Sequence, residues 1–344
     1  MSDILIKRNH MEIPWHNYVS ARNNQPITEA SLSEKASLIG RTGMMLLSCG
    51  TGAWRVRSSM NTLSEALGIT CSADIGLMSI SYTCFDGESS FSHALSLTTT
   101  GVNTSRLNRL EHFVSDFPAE GIHMSGEALH SQLDEIERIH GLYSPASLGL
   151  ASALACGAFT FLLGGGPLEM ILAFAGAGIG NAIRCKLGKH HFTLFMCIAV
   201  SVSSACLVYA GFLKLAELLF HISVQHEAGY ICSMLFIIPG FPFITSGIDL
   251  AKLDMRSGLE RLAYAIIVVM VAAVSAWLMA LLLHLKPVDF LPLELSAAQR
   301  ILFRLLASFC GVFGFSVMFN SPVRRYEWRT VWIPECQCGY ILYC

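Results

Sequence analysis

The stretch IIPGFPFITSGID, residues 237–249, places two prolines inside an apolar run. Pro239 and Pro242 each lack the amide donor of a helical hydrogen bond, and Gly240 between them loosens the backbone. A helix over this stretch is therefore predicted to kink or unwind. Freed backbone groups are costly in hydrocarbon unless they face protein or a watery cavity. Broken spans of this kind commonly bind substrates and coupling ions in transporters.

Polar side chains follow the break at Thr245, Ser246 and Asp249. A carboxylate near the membrane interior is costly and tends to be retained for handling an ion, a proton or a substrate. Asp249 also lies close to the end of its run, where solvation or pairing with Lys252 or Arg256 is the alternative. The sequence leaves both interpretations of Asp249 open.

The break lies in the fourth of six apolar runs that follow Tyr143. The chain is 53% hydrophobic and only 14% charged, which is far more apolar than a soluble protein. Most runs reach the ~20 residues that cross a hydrocarbon core ~30 Å thick. They are residues 147–163, 168–183, 192–213, 228–248, 262–285 and 301–320. The second is short, and we interpret it as a tilted span rather than a re-entrant element because the loop charges then fall into order.

The order of the loop charges predicts the orientation. Basic residues gather after the second, fourth and sixth runs, whereas the opposite loops hold few of them. The first group is Arg184, Lys186, Lys189, Lys252, Arg256, Arg261, Arg324, Arg325 and Arg329, and the second is Lys214, Lys286 and Arg300. The N-terminus carries no apolar signal segment. These features predict a multi-pass inner (plasma) membrane protein with both termini in the cytoplasm.

Small residues recur at close spacing in the second run. Gly176, Gly178 and Gly180 are predicted helix-packing positions, because glycine lets helix backbones approach closely. Asn181 follows them and has two interpretations, a place in a substrate pathway or an interhelical hydrogen bond. The predicted substrate and ion pathway comprises Pro239, Gly240, Pro242, Thr245, Ser246, Asp249 and Asn181.

Residues 31–142 show a different pattern, in which helical periodicity gives way to a period of two and then returns. The predicted helices cover 31–47, 56–67, 107–114 and 129–136, and the predicted strands cover 69–75, 78–84 and 91–97. The Asp86-Gly87 pair is a hairpin signal, so an antiparallel meander is expected. The predicted fold class is a cytoplasmic α+β domain with a small antiparallel sheet, followed by a membrane α-helical bundle of about six transmembrane helices.

The soluble half shows no catalytic constellation. His93 lies on an apolar strand face and is interpreted as a packed histidine. Arg55 and Arg57 flank a buried position of an amphipathic helix and are expected to face water. Contact with substrate or with the membrane half is the alternative for the two arginines.

The membrane half also lacks a recognisable reaction centre. His226-Glu227 begins like a zinc-binding H-E-x-x-H motif, but the second histidine is absent. Glu169 follows a glycine turn, where a solvated helix cap is expected. Lys and Arg show no excess of the kind that binds nucleic acid. We therefore expect no enzyme activity, no cofactor, no metal and no nucleic-acid partner.

Three motifs resemble the threonine/serine exporter family: LLSCGTGAWRV at 46–56, the glycine turn at 164–166 and PGFPFITSGID at 239–249. The resemblance covers residues 34–261 and continues more weakly to residue 322. Members pair a cytoplasmic N-terminal domain and about five helices with a second, related membrane module, which is fused or a separate subunit. The resemblance implies proton-driven export of small polar metabolites such as threonine and serine, or of a dicarboxylate, as in a two-subunit relative associated with succinate.

The resemblance also implies a domain organisation. The expected units are a polar tail at 1–30, a cytoplasmic domain at 31–142, a five-helix membrane module at 143–286 and, at 287–344, a sixth helix that begins a second module and a cytoplasmic tail. Residues 332–344 show no usable periodicity, which suggests a truncated or frameshifted end. The expected partners are the lipid bilayer, a small polar substrate, and a second membrane module or subunit or a further copy in a homo-oligomer.

The sequence therefore favours a secondary transporter subunit that exports small polar metabolites. The alternative is a non-transporting membrane scaffold or sensor with a ligand-binding cytoplasmic domain. Close glycine packing suits either function, but a doubly broken helix is harder to explain in a scaffold.

Overall fold

A computed structural model describes residues 13–19, 25–139, 141–190, 192–221, 226–285, 290 and 293–322. The soluble part comprises α1 (Leu32–Ser48), α2 (Ala53–Ala66), β1 (Thr70–Ile75), β2 (Ser79–Phe85), β3 (Ser90–Ser96), α3 (Thr104–Asp116) and α4 (Gly126–Glu137). The apolar part comprises α5 (Pro145–Leu162), α6 (Pro167–Lys189), α7 (Leu194–Phe220), α8 (Gly240–Ala251), α9 (Met255–Leu282) and α10 (Ala297–Met318). Short 3₁₀ turns lie at Trp15–Tyr18, Ile27–Glu29, Gly121–His123, Glu227–Tyr230 and Cys232–Ile237. The predictions for Lys286, Arg324, Arg325, Arg329 and residues 332–344 fall outside the described residues.

The predicted antiparallel meander is confirmed. Its strands pair in the order β1-β2-β3, and Tyr82 lies opposite His93. The sheet packs on α1, where the Tyr82 hydroxyl donates to the carbonyl of Ala36 over 3.0 Å. The side chain of Ser31 accepts the amide of Glu34 at 3.3 Å, so α1 begins where the sequence predicts. Local periodicity and capping therefore account for the soluble fold.

Three polar residues of this domain have defined contacts. His93 is half-buried against the rings of Tyr18, Tyr82 and Phe91, as a packed histidine should be. The expectation that both arginines simply face water is wrong, because each meets a carboxylate after folding. Arg55 pairs with Glu111 of α3, and Arg57 pairs with Asp254 at 2.6 Å, in the connection between α8 and α9. For Arg57 the structure therefore shows the alternative, a contact with the membrane half.

The described residues of the membrane half contain five helices that are long and apolar enough to cross a bilayer. The segments Glu227–Ile237 and Gly240–Ala251 meet at an angle of 59° and bring the number to the predicted six where the bent pair counts as one span. The short second run belongs to the 23-residue helix α6, which is long enough to span. Side chains of α9 and α10 leave broad apolar faces exposed, as expected of surfaces in contact with lipid tails.

The glycines of α6 lie where neighbouring helices come close. A Cβ atom on Gly176 would lie 2.8 Å from the carbonyl of Ala205 in α7. On Gly178 it would lie 3.2 Å from the Cβ of Ala153 in α5. On Gly180 it would lie 2.9 Å from the Cβ of Ala205. The absence of side chains at these positions therefore allows α5 and α7 to pack directly on α6.

The soluble domain contacts one end of the helix bundle through many polar contacts. The α8–α9 connection and the end of α10 supply the membrane side of this junction. The contacts join Arg57 to Asp254, the Leu77 amide to Glu260, Asp74 to Arg256, Asn103 to Asn320 and Thr104 to Ser321. Ion pairs and hydrogen bonds to the α8–α9 region and to the end of α10 therefore fix the domain on the bundle.

Candidate functional site

The fourth span breaks at its prolines. A 3₁₀ turn ends at Ile237, the backbone turns at Ile238 and Pro239, and α8 begins at Gly240. Pro242 lies in the first turn of α8, where its missing amide breaks no helical hydrogen bond. The break divides one span into two short segments that meet at an angle. The sequence-based prediction of a kinked span is confirmed.

A cavity of about 270 Å³ lies beside this break. Pro239 and Pro242 line it together with residues of the soluble loops and of α6, α7, α9 and α10. Its walls are mostly apolar and include the rings of Phe236, Phe241 and Tyr264. Two cationic side chains, Arg184 and Arg261, also line it. The cavity is therefore a small, mostly apolar chamber with two guanidinium groups, at the junction of both halves.

The guanidinium of Arg261 is held by a fully buried carboxylate, Asp249. The Nε of Arg261 lies 3.2 Å from Oδ2 of Asp249, and its Nη1 donates to the carbonyl of Gly50 at 3.1 Å. The same Oδ2 accepts the Ala53 amide at 3.2 Å and the Ser257 hydroxyl at 2.9 Å. Asp249 is 0% exposed and Arg261 only 2%. The cluster thus connects α8, α9 and the loop before α2.

The predicted alternative partners of Asp249 are wrong. Lys252 lies over the ring of Trp54, with its Nζ 4.9 Å from the ring centroid. Arg256 pairs with Asp74 and Glu260 on the other side of α9. The chain reverses between α8 and α9, so Arg261, twelve residues further on, returns to face Asp249. Solvation is also excluded, because the carboxylate is fully buried.

Arg184 contributes the second charge of the cavity. It is partly buried in α6, with its guanidinium carbon 5.9 Å from the ring centroid of Phe236. Among the described residues, no carboxylate lies within ion-pair distance of it. On Arg261, the nitrogen Nη2 is buried and has no hydrogen-bond partner in the same part of the chain. Sequence reasoning counted both arginines only as loop charges and did not predict them as site residues.

The other predicted pathway residues do not line this cavity. The Thr245 hydroxyl donates back to the carbonyl of Phe241, and the Ser246 hydroxyl donates to the carbonyl of Gly258 in α9. Asn181 donates to the carbonyl of Leu148 in α5, while its buried Oδ1 has no partner in the described chain. Gly240 borders a separate apolar groove next to α10. The structure therefore places Pro239 and Pro242 at the cavity and Asp249 directly behind it.

A second buried carboxylate lies towards the far end of α6. Glu169 is 1% exposed, and its Oε1 lies 2.7 Å from Nδ1 of His226. Its Oε2 is buried with no partner in the described part of the chain. The expectation of a solvated cap is wrong, because Glu169 is buried and pairs with His226, which lies over the start of α6. Tyr209 holds His226 by donating its hydroxyl to the His226 carbonyl at 2.7 Å.

The soluble domain has its own cavity of about 770 Å³, but its charged groups pair with one another. Arg41 pairs with Asp134 and Glu137, and Asp134 also contacts His16. The buried ring of His130 lies beside Arg41, and burial together with this positive charge lowers the pKa of His130 to about 4. These contacts describe a stabilising network inside the domain.

Several apolar helices, with a bent pair beside a cavity, indicate a multi-pass membrane protein. The family model ThrE, described as "Putative threonine/serine exporter", matches residues 37–284, well over half of the chain. The chain therefore belongs to this family of membrane exporters, as the sequence motifs indicate. No curated protein and no solved structure matches it.

Proposed function

We propose that this chain exports threonine, serine and similar small polar metabolites, and that the cavity at the broken fourth span is its substrate chamber. The observation that carries the proposal is the position of this cavity, between the helix break and the soluble domain. Broken spans that border a cavity are where secondary transporters bind their substrates. Membership of the exporter family supplies the substrate class.

The proposed orientation places the soluble domain and both termini in the cytoplasm of a cell bounded by this inner membrane. Arg184, Lys186 and Lys189 support it, because they lie towards the end of α6 nearest the soluble domain. Substrate would then enter the cavity from the cytoplasmic side. A second membrane module, encoded elsewhere or supplied by another copy of the chain, belongs to this proposal because the family resemblance implies one.

Export is proposed to be coupled to protons, with dicarboxylates as further substrates. Buried ionisable groups inside a membrane protein commonly mark ion or proton routes. Asp249 lies behind the cavity, and Glu169 with His226 lies further along α6. Residues 169 and 184 both belong to α6 and are separated by about 22 Å of helix at ~1.5 Å per residue. A proton route from the Glu169 pair to the cavity would therefore run along α6.

The test is metabolite efflux from cells that express the chain alone or together with a candidate second module. Cells loaded with labelled threonine, serine or succinate should release at least one of them faster than cells carrying an empty vector. A transmembrane pH gradient of either sign, imposed at fixed membrane potential, should change that rate. The export proposal would be contradicted if release were no faster than from vector control cells, both for the chain alone and for the chain with the second module.

A further inference from the structure

Two positive charges line the cavity at the break, and the described residues leave both with unmet bonding capacity. Arg184 contacts the face of an aromatic ring and has no carboxylate within ion-pair distance in that part of the chain. Arg261 is compensated by Asp249, yet its Nη2 is buried without an acceptor. Uncompensated guanidinium groups in a membrane bundle are costly and are usually retained for binding. The cavity therefore presents positive charge and hydrogen-bond donors suited to an anion.

We propose that Arg184 and Arg261 together bind the carboxylate of the exported molecule, an inference that rests on the proposed export function. A planar guanidinium presents paired donors that match the two oxygens of a carboxylate. A cavity of about 270 Å³ accommodates a molecule the size of an amino acid or a short dicarboxylate. The substrate class is thus narrowed to small molecules with a free carboxylate, and amines or alcohols of the same size are excluded.

Asp249 has a positioning role in this arrangement. It does not line the cavity, but its Oδ2 contacts Nε of Arg261 at 3.2 Å. The Gly50 carbonyl holds Nη1 in addition, so two of the three guanidinium nitrogens are occupied by the protein. The third, Nη2, is buried and has no partner among the described residues. Asp249 therefore orients the arginine without contacting the substrate.

The apolar walls suit the rest of an amino acid. Phe236, Phe241 and Tyr264 line the chamber with aromatic rings, and Pro239 and Pro242 add apolar surface. Aromatic faces attract an ammonium group without neutralising it. A zwitterion bound by its carboxylate is thus released more readily than one held by ion pairs at both ends. The chamber is built for recognition of the carboxylate and weak retention of the remainder.

The test measures binding of labelled L-threonine to the purified full chain in detergent, with competition by unlabelled compounds. L-Serine should compete strongly, whereas L-threonine amide and L-threoninol, which lack the carboxylate, should compete at least about tenfold more weakly. Arg184→Gln should weaken L-threonine binding by about tenfold or more, and Arg184→Lys should restore part of it. Lys186→Gln is the matched control, since Lys186 is exposed near the same end of α6.

Arg261→Lys provides the second arm, because it retains a positive charge for Asp249 but removes the guanidinium fork. It should weaken binding at near-normal protein abundance. Equal competition by L-threonine amide, or unchanged binding by Arg184→Gln, would overturn the carboxylate site while efflux by the wild-type chain still supports export. If the wild-type chain binds none of L-threonine, L-serine and succinate and releases none of them from loaded cells, both proposals are overturned.

Discussion

Two buried carboxylates in the membrane half are built alike but paired differently. Asp249 pairs with Arg261, and Glu169 pairs with His226. Each leaves one oxygen buried without a partner in the described chain. Arginine remains charged at any physiological pH, whereas histidine gains or loses its charge close to neutrality. The comparison indicates that Asp249 faces a partner with a fixed positive charge, whereas the partner of Glu169 is charged only when it is protonated.

The two pairs also differ in what they connect. The Asp249 cluster joins residues 196 positions apart in sequence, because Oδ2 accepts the Ala53 amide of the soluble domain. The Glu169 pair connects α6 only to the loop that leads into the broken span. Loss of the first should therefore weaken the junction of the two halves. Loss of the second should leave that junction intact.

Substitution Asp249→Asn should have the largest effect. It leaves the guanidinium of Arg261 buried without its counter-charge, which costs about 3–5 kcal/mol. Thermal unfolding of the full chain in detergent should show a clear loss of stability. The double variant Asp249→Asn/Arg261→Met removes both charges and should recover much of that loss. A double variant no more stable than Asp249→Asn would contradict the interpretation that Asp249 compensates the charge of Arg261.

Substitution Glu169→Gln should cost less stability, about 1–3 kcal/mol, because it weakens one contact with His226 and leaves no buried arginine without its counter-charge. Under the proton-coupled export proposed above, its main expected effect is on function, since efflux should lose its dependence on external pH. The measurement is threonine release over a range of pH at fixed membrane potential. Glu227→Gln, next to His226 in sequence, is the control. A pH profile identical to wild type would remove Glu169 from the proton route.

Substitution Gly180→Ala tests the close packing of α6 on α7, between Glu169 and Arg184. The new Cβ would lie 2.9 Å from both the Ala205 Cβ and the Ser201 carbonyl, so α6 and α7 must separate at a cost of about 1–3 kcal/mol. Gly211→Ala in α7 is the control, because nothing lies within 4 Å of its added Cβ. Threonine binding should weaken only in Gly180→Ala. Equal melting temperatures of the two variants would contradict close packing at Gly180.

The smallest expected effect is the pH dependence of stability that His130 gives to the soluble domain. Burial and the adjacent positive charge of Arg41, whose Nη1 lies 3.4 Å from Nδ1 of His130, lower the pKa of His130 from the ordinary 6.5 to about 4. The unfolded chain binds this proton first, so stability should decrease as the pH falls from 6.5 towards 4. The slope is at most about 1.4 kcal/mol per pH unit. His130→Gln should reduce that slope in pH-dependent melting, and an unchanged slope would assign the effect to other groups.

The break and the soluble fold are predictable from the sequence for a common reason. Pro239 and Pro242 restrict their own backbone, and the spacing of Val56, Met60 and Leu63 determines the buried face of α2 locally. The prediction that Asp249 is special among the ionisable residues of the membrane half depended on the same local logic. Its partner was not predictable, because Arg261 reaches it only after α9 folds back along α8.

Local sequence patterns also could not predict the burial of Arg184 and Glu169. Charge bias between loops identifies Arg184 as a basic residue of one membrane side, and a glycine turn identifies Glu169 as a helix start. Their burial depends on which segments cover them: a cavity formed by both halves for Arg184, and the loop of His226 for Glu169. Burial of this kind depends on contacts between segments that are distant in sequence, so a short stretch of sequence does not reveal it.

The sequence by itself determined the apolar spans, the break in the fourth and the α+β domain, because periodicity, proline chemistry and apolar length act over a few neighbouring residues. Its motifs resemble those of the exporter family that the chain belongs to. The tertiary structure alone decided that two arginines line one cavity at the break, that Asp249 connects the halves and that Glu169 is buried. The physical reason is that the cost of a charge in a membrane protein depends on its surroundings, and those form only when distant segments pack.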